Sequence, residues 1–378
     1  IDLNTTPTTQ LVIIKKKLHG GIMLTASHNP KNWNALKFFN EKGEFLSHDD
    51  VNEILKIESN EIKSKIYRNS HGKINDFKDS YDLHIREILN LKYVKPDVIR
   101  KKGFKIVVDG INSSGGIIIP KLLESLNVEV IKINCIPDGN FAHDPEPLDK
   151  NLNQLKEEVL KSNADLGIAI DPDVDRLVFV SENGETISEE NTLISCADYI
   201  LSKEKGSAVS NLSSSMGLRD VCKMHGVEYF SSKVGEINVV EKMKSVNAII
   251  GGEGNGGIIY PQSHYGRDAL IGVGLLLTSL ALKDKKISKL FEKLPQYHML
   301  KEKIKIDNEL DFNNIKNKLK STFYNFTFNE IDGLKIENNS SWIHVRKSNT
   351  EPIIRIYIES KNKQDSKALF ETVKRALI

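Results

Sequence analysis

The stretch Thr25-Ala26-Ser27-His28-Asn29-Pro30 puts a hydroxyl, an imidazole and an amide ahead of a proline. A serine hydroxyl is a poor nucleophile unless something activates it. Phosphorylated, it would carry about two negative charges and three strong acceptor oxygens, and such a group needs a cation beside it. The same residues are also ordinary turn formers, so the stretch alone does not decide between chemistry and a loop. A second stretch, Asp171-Pro172-Asp173-Val174-Asp175-Arg176, supplies a place for the cation. Carboxylates at alternate positions repel one another strongly unless a cation sits among them. Hard oxygen ligands favour Mg²⁺, which keeps positions open for water or a phosphate oxygen.

Rival readings of the acidic stretch can be tested on spacing. An EF-hand loop needs glycine at its sixth position and helices on both flanks; Arg176 stands there, although Glu182 falls at the twelfth position. The haloacid-dehalogenase phosphatases also begin with Asp-x-Asp after an apolar strand, but want Thr or Val where this chain has Asp175. A polar hairpin turn is the bland alternative.

Two further loops could handle a sugar and its phosphate. Gly251 to Gly257 holds one acid, Glu253, and one amide, Asn255. Glycines let a backbone approach a ligand closely, and a carboxylate can accept two hydrogen bonds from a diol. No Gly-Lys-Ser/Thr follows, so this is no Walker-type loop. Arg346-Lys347-Ser348-Asn349-Thr350-Glu351-Pro352, with Arg355 after it, suits an anion. Arginine meets phosphate bidentately, and hydroxyls and amides add donors. Both loops read equally as turns when taken singly.

Apolar runs lead into these loops. Gly21 to Leu24 reads as a short buried strand before Ser27. Phe104 to Val108 leads into Asp109-Gly110-Ile111-Asn112-Ser113-Ser114-Gly115-Gly116, a helix and a strand at Val128 to Ile131. Ala208-Val209, Ala248 to Ile250 and Ala164 to Ile170 repeat the theme, with Leu177 to Val180 after the acidic loop. Strands alternating with helices predict α/β architecture with parallel sheets, and functional loops then collect at the carboxyl ends of the strands. Thr5-Thr6-Pro7-Thr8 reads as a turn before a helix through Leu11, Ile14 and Leu18. Residues 47 to 80 are polar with a modest helical pattern. The tail differs, with alternating strands at 303–306 and 342–345, a strand at 353–358 and a closing helix near 365–377, so a small α+β domain ends the chain.

The 378 residues suffice for two to four domains. Net charge is +2 with no block of like charge, which speaks against nucleic acid. The three cysteines, Cys135, Cys196 and Cys222, show no metal or disulfide spacing, as in a reduced cytoplasmic protein. There is no signal-peptide pattern. The longest apolar stretch, 269 to 282, falls short of a bilayer span and reads as a buried helix. Ile1 opens a segment that looks like the inside of a domain, so an N-terminal part of a longer protein is expected before it.

Together, and in this order, the four loops resemble the α-D-phosphohexomutase superfamily. Thr25 to Pro30 matches its phosphoserine loop. Asp171 to Arg176 looks like its metal loop, with Pro172 where many members have Gly. Gly252 to Gly257 is similar to its sugar-recognition loop, and Arg346 to Pro352 with Arg355 to its phosphate-binding loop. The resemblance implies three related α/β domains with mixed sheets plus a C-terminal α+β domain, arranged around a central cleft. It places a phosphoserine domain at 1–88, a metal-binding domain at 89–186, a sugar-recognition domain at 187–296 and a phosphate-binding domain at 297–378. It also implies that the opening strand–helix portion of the first domain, which carries an arginine-bearing Gly-rich loop, is absent.

The resemblance further implies roles. Ser27, His28, Lys37 and Arg176 are catalytic, and Asp171, Asp173, Asp175 and the phosphate on Ser27 hold Mg²⁺. Glu253, Asn255 and Lys233 contact substrate, and Arg346, Ser348, Asn349, Thr350 and Arg355 anchor its phosphate. Asn34, His264 and Arg267 are adjacent candidates. The implied reaction interconverts hexose 6-phosphate and hexose 1-phosphate through a 1,6-bisphosphate, which also serves as activator. The wording of the loops favours glucosamine phosphate over glucose or mannose phosphate. The alternatives are phosphoglucomutase/phosphomannomutase activity, a Mg²⁺-dependent sugar phosphatase, or a sugar-phosphate-binding protein without turnover. The expected partner is a small sugar phosphate, with neither nucleic acid nor membrane, in a monomer or homodimer. A hinge is expected near 294–300, where the architecture changes.

Overall fold

The computed structural model describes residues 1–29, 32–59, 72–305, 311–347 and 353–377. The chain divides into two compact units, residues 1–192 with 255–290, and residues 193–254 with 291–378.

In the first unit the helix Thr6–Lys16 starts where a turn was expected. Thr5 is its N-cap, accepting from the Thr8 amide at 3.1 Å, and Pro7 sits in the first turn, where its missing N–H costs nothing. The helix closes on Lys17 in the left-handed conformation, so Leu18 lies beyond it and is exposed. The strands Gly21–Leu24 and Leu36–Phe39 then pair antiparallel, with Met23 opposite Lys37.

The expectation that Gly21 to Leu24 is buried is corrected here. Ile22 is 57% and Leu24 71% exposed, and Leu36 on the partner strand 53%. Among the described residues these two strands form a sheet of their own, extended only by a bridge from Phe39 to Phe45. Thr9 on the helix donates to Met23 Sδ at 3.6 Å. Because side chains alternate across a strand, Ile22 and Leu24 point the other way, where no layer of the described residues covers them. The helix His48–Glu58 has no buried residue.

A five-stranded mixed sheet follows, in the order Glu129–Ile133, Lys105–Asp109, Leu166–Ile170, Leu177–Ser181, Thr186–Ile187. The first three strands run parallel and the last two antiparallel. Leu166–Ile170 and Leu177–Ser181 are buried throughout, as expected when a sheet is covered on both faces. Leu155 and Val159 of the helix Asn153–Ser162 pack against Val107, Val178 and Val180. The apolar helix Ala269–Lys283 is buried along most of its length, with Asp268 as its N-cap. No helix among the described residues is long and apolar enough to cross a membrane.

In the second unit Ile250–Glu253, Ala208–Asn211 and Tyr229–Ser232 form parallel pairs. The tail forms a five-stranded antiparallel sheet in the order His298–Lys305, Ile353–Ser360, Trp342–Lys347, Leu334–Glu337, Thr327–Asn329. The helices Phe312–Thr322 and Lys363–Leu377 bring Leu319 and Val373 into a core with Ile336, Ile343 and Ile356. The described residues thus carry the expected α/β repeats followed by an α+β domain.

Candidate active site

Ser27 sits in the loop joining the first two strands. Thr25 N donates to Ala35 O at 3.1 Å and closes the loop. The Ser27 amide donates to Thr25 Oγ1 at 2.9 Å, and Asn29 folds back on Ala26 O. Ser27 itself has φ 49°, a left-handed conformation that costs about 1–3 kcal/mol and persists only where surroundings enforce it. Pro30 lies outside the described residues.

The acidic loop spans the turn between Leu166–Ile170 and Leu177–Ser181. The hydroxyls of Ser113 and Ser114 both donate to Pro172 O, at 2.7 and 2.9 Å. The neighbouring βα loop therefore props the turn. Asp171 Oδ1 accepts from the amides of Asp175 and Arg176, each at 3.0 Å. Val174, β-branched and buried, has φ 65° between Asp173 and Asp175, an outlier for such a residue.

Ser27 and the three acids meet. Ser27 Oγ donates to Asp171 Oδ2 at 2.9 Å. Carboxylate oxygens of Asp171, Asp173 and Asp175, all buried, lie within 4.8 Å of one another. Burial, then Asp175 and Asp173, pushes the Asp171 carboxyl well above the usual range. Burial would raise Asp175 too, but Arg267, Lys37 and Arg176 outweigh it and hold that carboxyl below the usual range.

Lys37 Nζ lies 2.5 Å from Asp173 Oδ2 and 3.1 Å from Asp175 Oδ2. Burial pulls its pKa down, but the two carboxylates outweigh burial and keep the ammonium charged beyond the ordinary lysine range. Thr6 at the helix start donates its hydroxyl to Asp173 Oδ2 at 2.5 Å and its amide to Asp173 O at 3.0 Å. Arg267 Nη2 donates to Asp175 Oδ2 at 2.8 Å. Asp173 Oδ1 and Asp175 Oδ1 are buried and have no hydrogen-bond partner among the described residues. An orphaned buried carboxylate oxygen is costly, and a divalent cation would satisfy both, so the donor set fits a hard metal ion.

Arg176 bridges two groups, donating Nη1 to Glu146 Oε1 at 3.0 Å and Nη2 to His28 Nε2 at 3.2 Å. His28 Nδ1 lies 3.4 Å from Ser27 Oγ. Burial and then Arg176 lower the His28 pKa to about 4, so the ring is neutral at pH 7. Asn34 accepts from its neighbour's amide, at 3.0 Å. His264 is not aimed at the cluster. It shares the Asp268 carboxylate with His84 in a buried network.

The second unit gathers other candidates. Glu253 Oε1 accepts from Asn211 Nδ2 at 2.8 Å and from Gly235 N at 3.1 Å. Lys233, two residues before Gly235, is exposed. Asp332 Oδ2 accepts from Val234 N at 2.9 Å and lies 3.1 Å from Arg346 Nε. Glu253, the 233–235 segment and Arg346 are thereby linked. Arg346 stands directly opposite Arg355 across the strand pair, an arrangement that costs energy unless an anion lies near. Asn255 belongs to the first unit and caps the Gly257 amide at 3.2 Å. Ser348, Asn349 and Thr350 lie outside the described residues.

Sequence reasoning missed Thr6, Glu146 and Asp332. Thr6 was hidden in a turn-like tetrad, and Asp332 in an Asp-Gly pair typical of hairpins. Glu146, in Asp144-Pro145-Glu146-Pro147, carried no local signal.

Residues 1–65, 81–184 and 188–297 match domains I, II and III of the phosphoglucomutase/phosphomannomutase family, and 299–376 its C-terminal domain. The chain belongs to this family, and so to the α-D-phosphohexomutase superfamily. Relatives agree. The phosphoglucomutase/phosphomannomutase of Thermococcus kodakarensis is 32% identical over 97% of this chain and 80% of its own length. The phosphoglucosamine/phosphogalactosamine mutase of Sulfurisphaera tokodaii is 30% identical over 98% of this chain and 82% of its own. A crystal structure of a phosphoglucomutase/phosphomannomutase family protein from Burkholderia thailandensis has a similar fold, with TM-score 0.80 at 24% identity, covering 95% of this chain and 76% of that one. This phosphohexomutase is thus an isomerase that moves a phosphate within a sugar.

Proposed function

We propose that this phosphohexomutase interconverts glucosamine 6-phosphate and glucosamine 1-phosphate through a phosphoserine at Ser27. The observation that carries the site is the Ser27 hydroxyl, held 2.9 Å from a buried carboxylate of the acidic triad. Mg²⁺, bound by Asp171, Asp173, Asp175 and an oxygen of the phosphoserine, would neutralise charge as the phosphoryl group moves. The chain's own residues do the rest. Lys37 and Arg176 present positive charge around Ser27, and His28 keeps its hydroxyl oriented. In the transfer the P–Oγ bond of Ser27 breaks and a bond from phosphorus to the free sugar hydroxyl forms. The hydroxyl proton ends on Ser27 Oγ, and the product is a hexose 1,6-bisphosphate. The reverse step, on the bisphosphate's other phosphate, restores the phosphoserine.

Glu253 and Asn255 would hold the sugar hydroxyls, with Lys233 beside them. Arg346, Ser348, Asn349, Thr350 and Arg355 would grip whichever phosphate is not reacting. A small amount of hexose 1,6-bisphosphate would act as activator by phosphorylating Ser27. A neighbour of similar fold, the N-acetylphosphoglucosamine mutase of Aspergillus fumigatus, was crystallised with GlcNAc-6P and magnesium, and a serine-to-alanine variant of it with glucose 1,6-bisphosphate. The glucosamine preference is supported by the Sulfurisphaera tokodaii enzyme's name; the Thermococcus kodakarensis name favours glucose or mannose phosphate as the second reading. The division at 88, 186 and 296, a cytoplasmic location and a monomeric or homodimeric state belong to the same reading.

³¹P NMR with Mg²⁺, a trace of hexose 1,6-bisphosphate and each of glucosamine, glucose and mannose 6-phosphates tests it. A 1-phosphate signal growing fastest from glucosamine 6-phosphate is the expected result. Fastest growth from glucose or mannose 6-phosphate would transfer the assignment to the second reading. Inorganic phosphate alone would mark a phosphatase, and binding without turnover a sugar-phosphate-binding protein.

A further inference from the structure

We infer that Glu146 is a positioning residue for transfer at Ser27, acting through Arg176 and His28; this rests on the mutase reading above. Glu146 lies outside the acidic triad, in the segment after the strand Glu129–Ile133. That segment is built rather than loose. His143 Nε2 is 3.0 Å from Asp109 Oδ2 at the end of the strand Lys105–Asp109, and Asn151 Nδ2 donates to Glu146 O at 2.8 Å.

Arg176 follows Asp175 directly, and two carboxylates of its own loop attract it. Glu146 gives the guanidinium a partner elsewhere, at 3.0 Å from Nη1. The other terminal nitrogen then donates to His28 Nε2. Arginine can only donate, so Nε2 must be the acceptor, and the neutral ring carries its proton on Nδ1. That N–H faces Ser27 Oγ, which in turn donates to Asp171. The chain Glu146, Arg176, His28, Ser27, Asp171 therefore fixes the direction of the Ser27 lone pairs. It also keeps Arg176 off the oxygens a metal ion would use. Without Glu146 the guanidinium is free to turn to Asp171 and Asp175, and His28 loses its fixed tautomer.

The test uses ¹⁵N-histidine-labelled protein and two variants, Glu146→Ala and Glu146→Gln. Long-range ¹H–¹⁵N spectra at pH 7.5 should show His28 of the parent protonated on Nδ1, and a tautomer mixture in Glu146→Ala. Phosphorylation of Ser27 by hexose 1,6-bisphosphate, followed by intact mass, should slow about tenfold to a hundredfold in Glu146→Ala, since a small misplacement costs on that order. KM for the sugar phosphate should change less than about twofold, because ground-state sugar contacts are untouched. Glu146→Gln keeps an acceptor oxygen and should restore both tautomer and rate. An unchanged tautomer in Glu146→Ala, an unchanged phosphorylation rate despite a changed tautomer, or a Gln variant as impaired as the Ala variant would each overturn the inference. A parent that shows the Nδ1–H tautomer but never accepts a phosphoryl group would instead overturn the mutase reading beneath it.

Discussion

Ser27 Oγ donates to Asp171 Oδ2 at 2.9 Å across 144 residues of sequence. Two substitutions separate the roles of this pair. Ser27→Ala should leave the fold intact and abolish phosphoryl uptake, read by intact mass after incubation with hexose 1,6-bisphosphate. Asp171→Asn keeps an oxygen that can accept from the amides of Asp175 and Arg176, so the loop should hold. The crowded charge is gone, so the metal-free variant should melt no lower than the parent. Its Mg²⁺ requirement should rise at least about 10–100-fold, the scale seen even for outer-sphere changes at metal sites. An unchanged Mg²⁺ titration would count against the triad as the metal site.

Lys37 compensates two buried carboxylates at once, Asp173 and Asp175. Removing one partner of a buried ion pair leaves the other uncompensated, at roughly 3–5 kcal/mol. For a unit of this size that is roughly 6–20 °C in Tm. Lys37→Ala without divalent metal should fall by such an amount in a thermal melt. Saturating Mg²⁺ should recover more stability in the variant than in the parent, because the ion then replaces the missing charge. Equal Mg²⁺ shifts in both proteins would show that Lys37 and the metal site are not coupled.

His344 gives the second unit a pH-sensitive core contact. Nδ1 lies 2.9 Å from Ser213 Oγ and Nε2 2.6 Å from Asp332 O, a pattern one neutral tautomer satisfies. Burial lowers its pKa to about 4, below the ordinary value near 6.5. Between these values the unfolded chain binds the proton and the folded chain does not, so this contribution is fully present above pH 6.5 and is lost as pH falls towards 4. The loss is about 3 kcal/mol over that window. Denaturant titrations from pH 7 to 4.5 should show a steeper fall for the parent than for His344→Gln; parallel curves would refute it.

Gly256 turns the chain beside the acidic loop at φ 88°, where a Cβ would lie 2.5 Å from Leu177 O. Its carbonyl accepts the Leu177 amide at 3.1 Å. Gly256→Ala meets both a disfavoured φ and a backbone atom that cannot yield. It should cost about 1–3 kcal/mol and lower Tm measurably, whereas Gly103→Ala, with open space around its Cβ at φ 66°, should cost less. Equal melting of the two variants would remove the steric part of this account.

Local chemistry made much of this protein legible in its sequence. The acidic turn between two apolar runs, the strand–helix alternation and the alternating tail are set by near neighbours, through side-chain period and turn preference. Those patterns gave the α/β units, the α+β tail and the loops that carry Ser27, the aspartates, Glu253 and Arg346. Tertiary structure decided the rest. Ile22 and Leu24 have the composition of a buried strand, but burial depends on whether another layer covers the face, which no strand encodes by itself. Thr5 to Thr8 looked like a turn, and only the following helix made it a cap. Asp175 draws Lys37 from 138 residues away and Arg267 from 92, and Arg176 finds Glu146 30 residues off. Such partners are chosen by where the folded backbone brings charges together out of water, and sequence spacing does not record that distance.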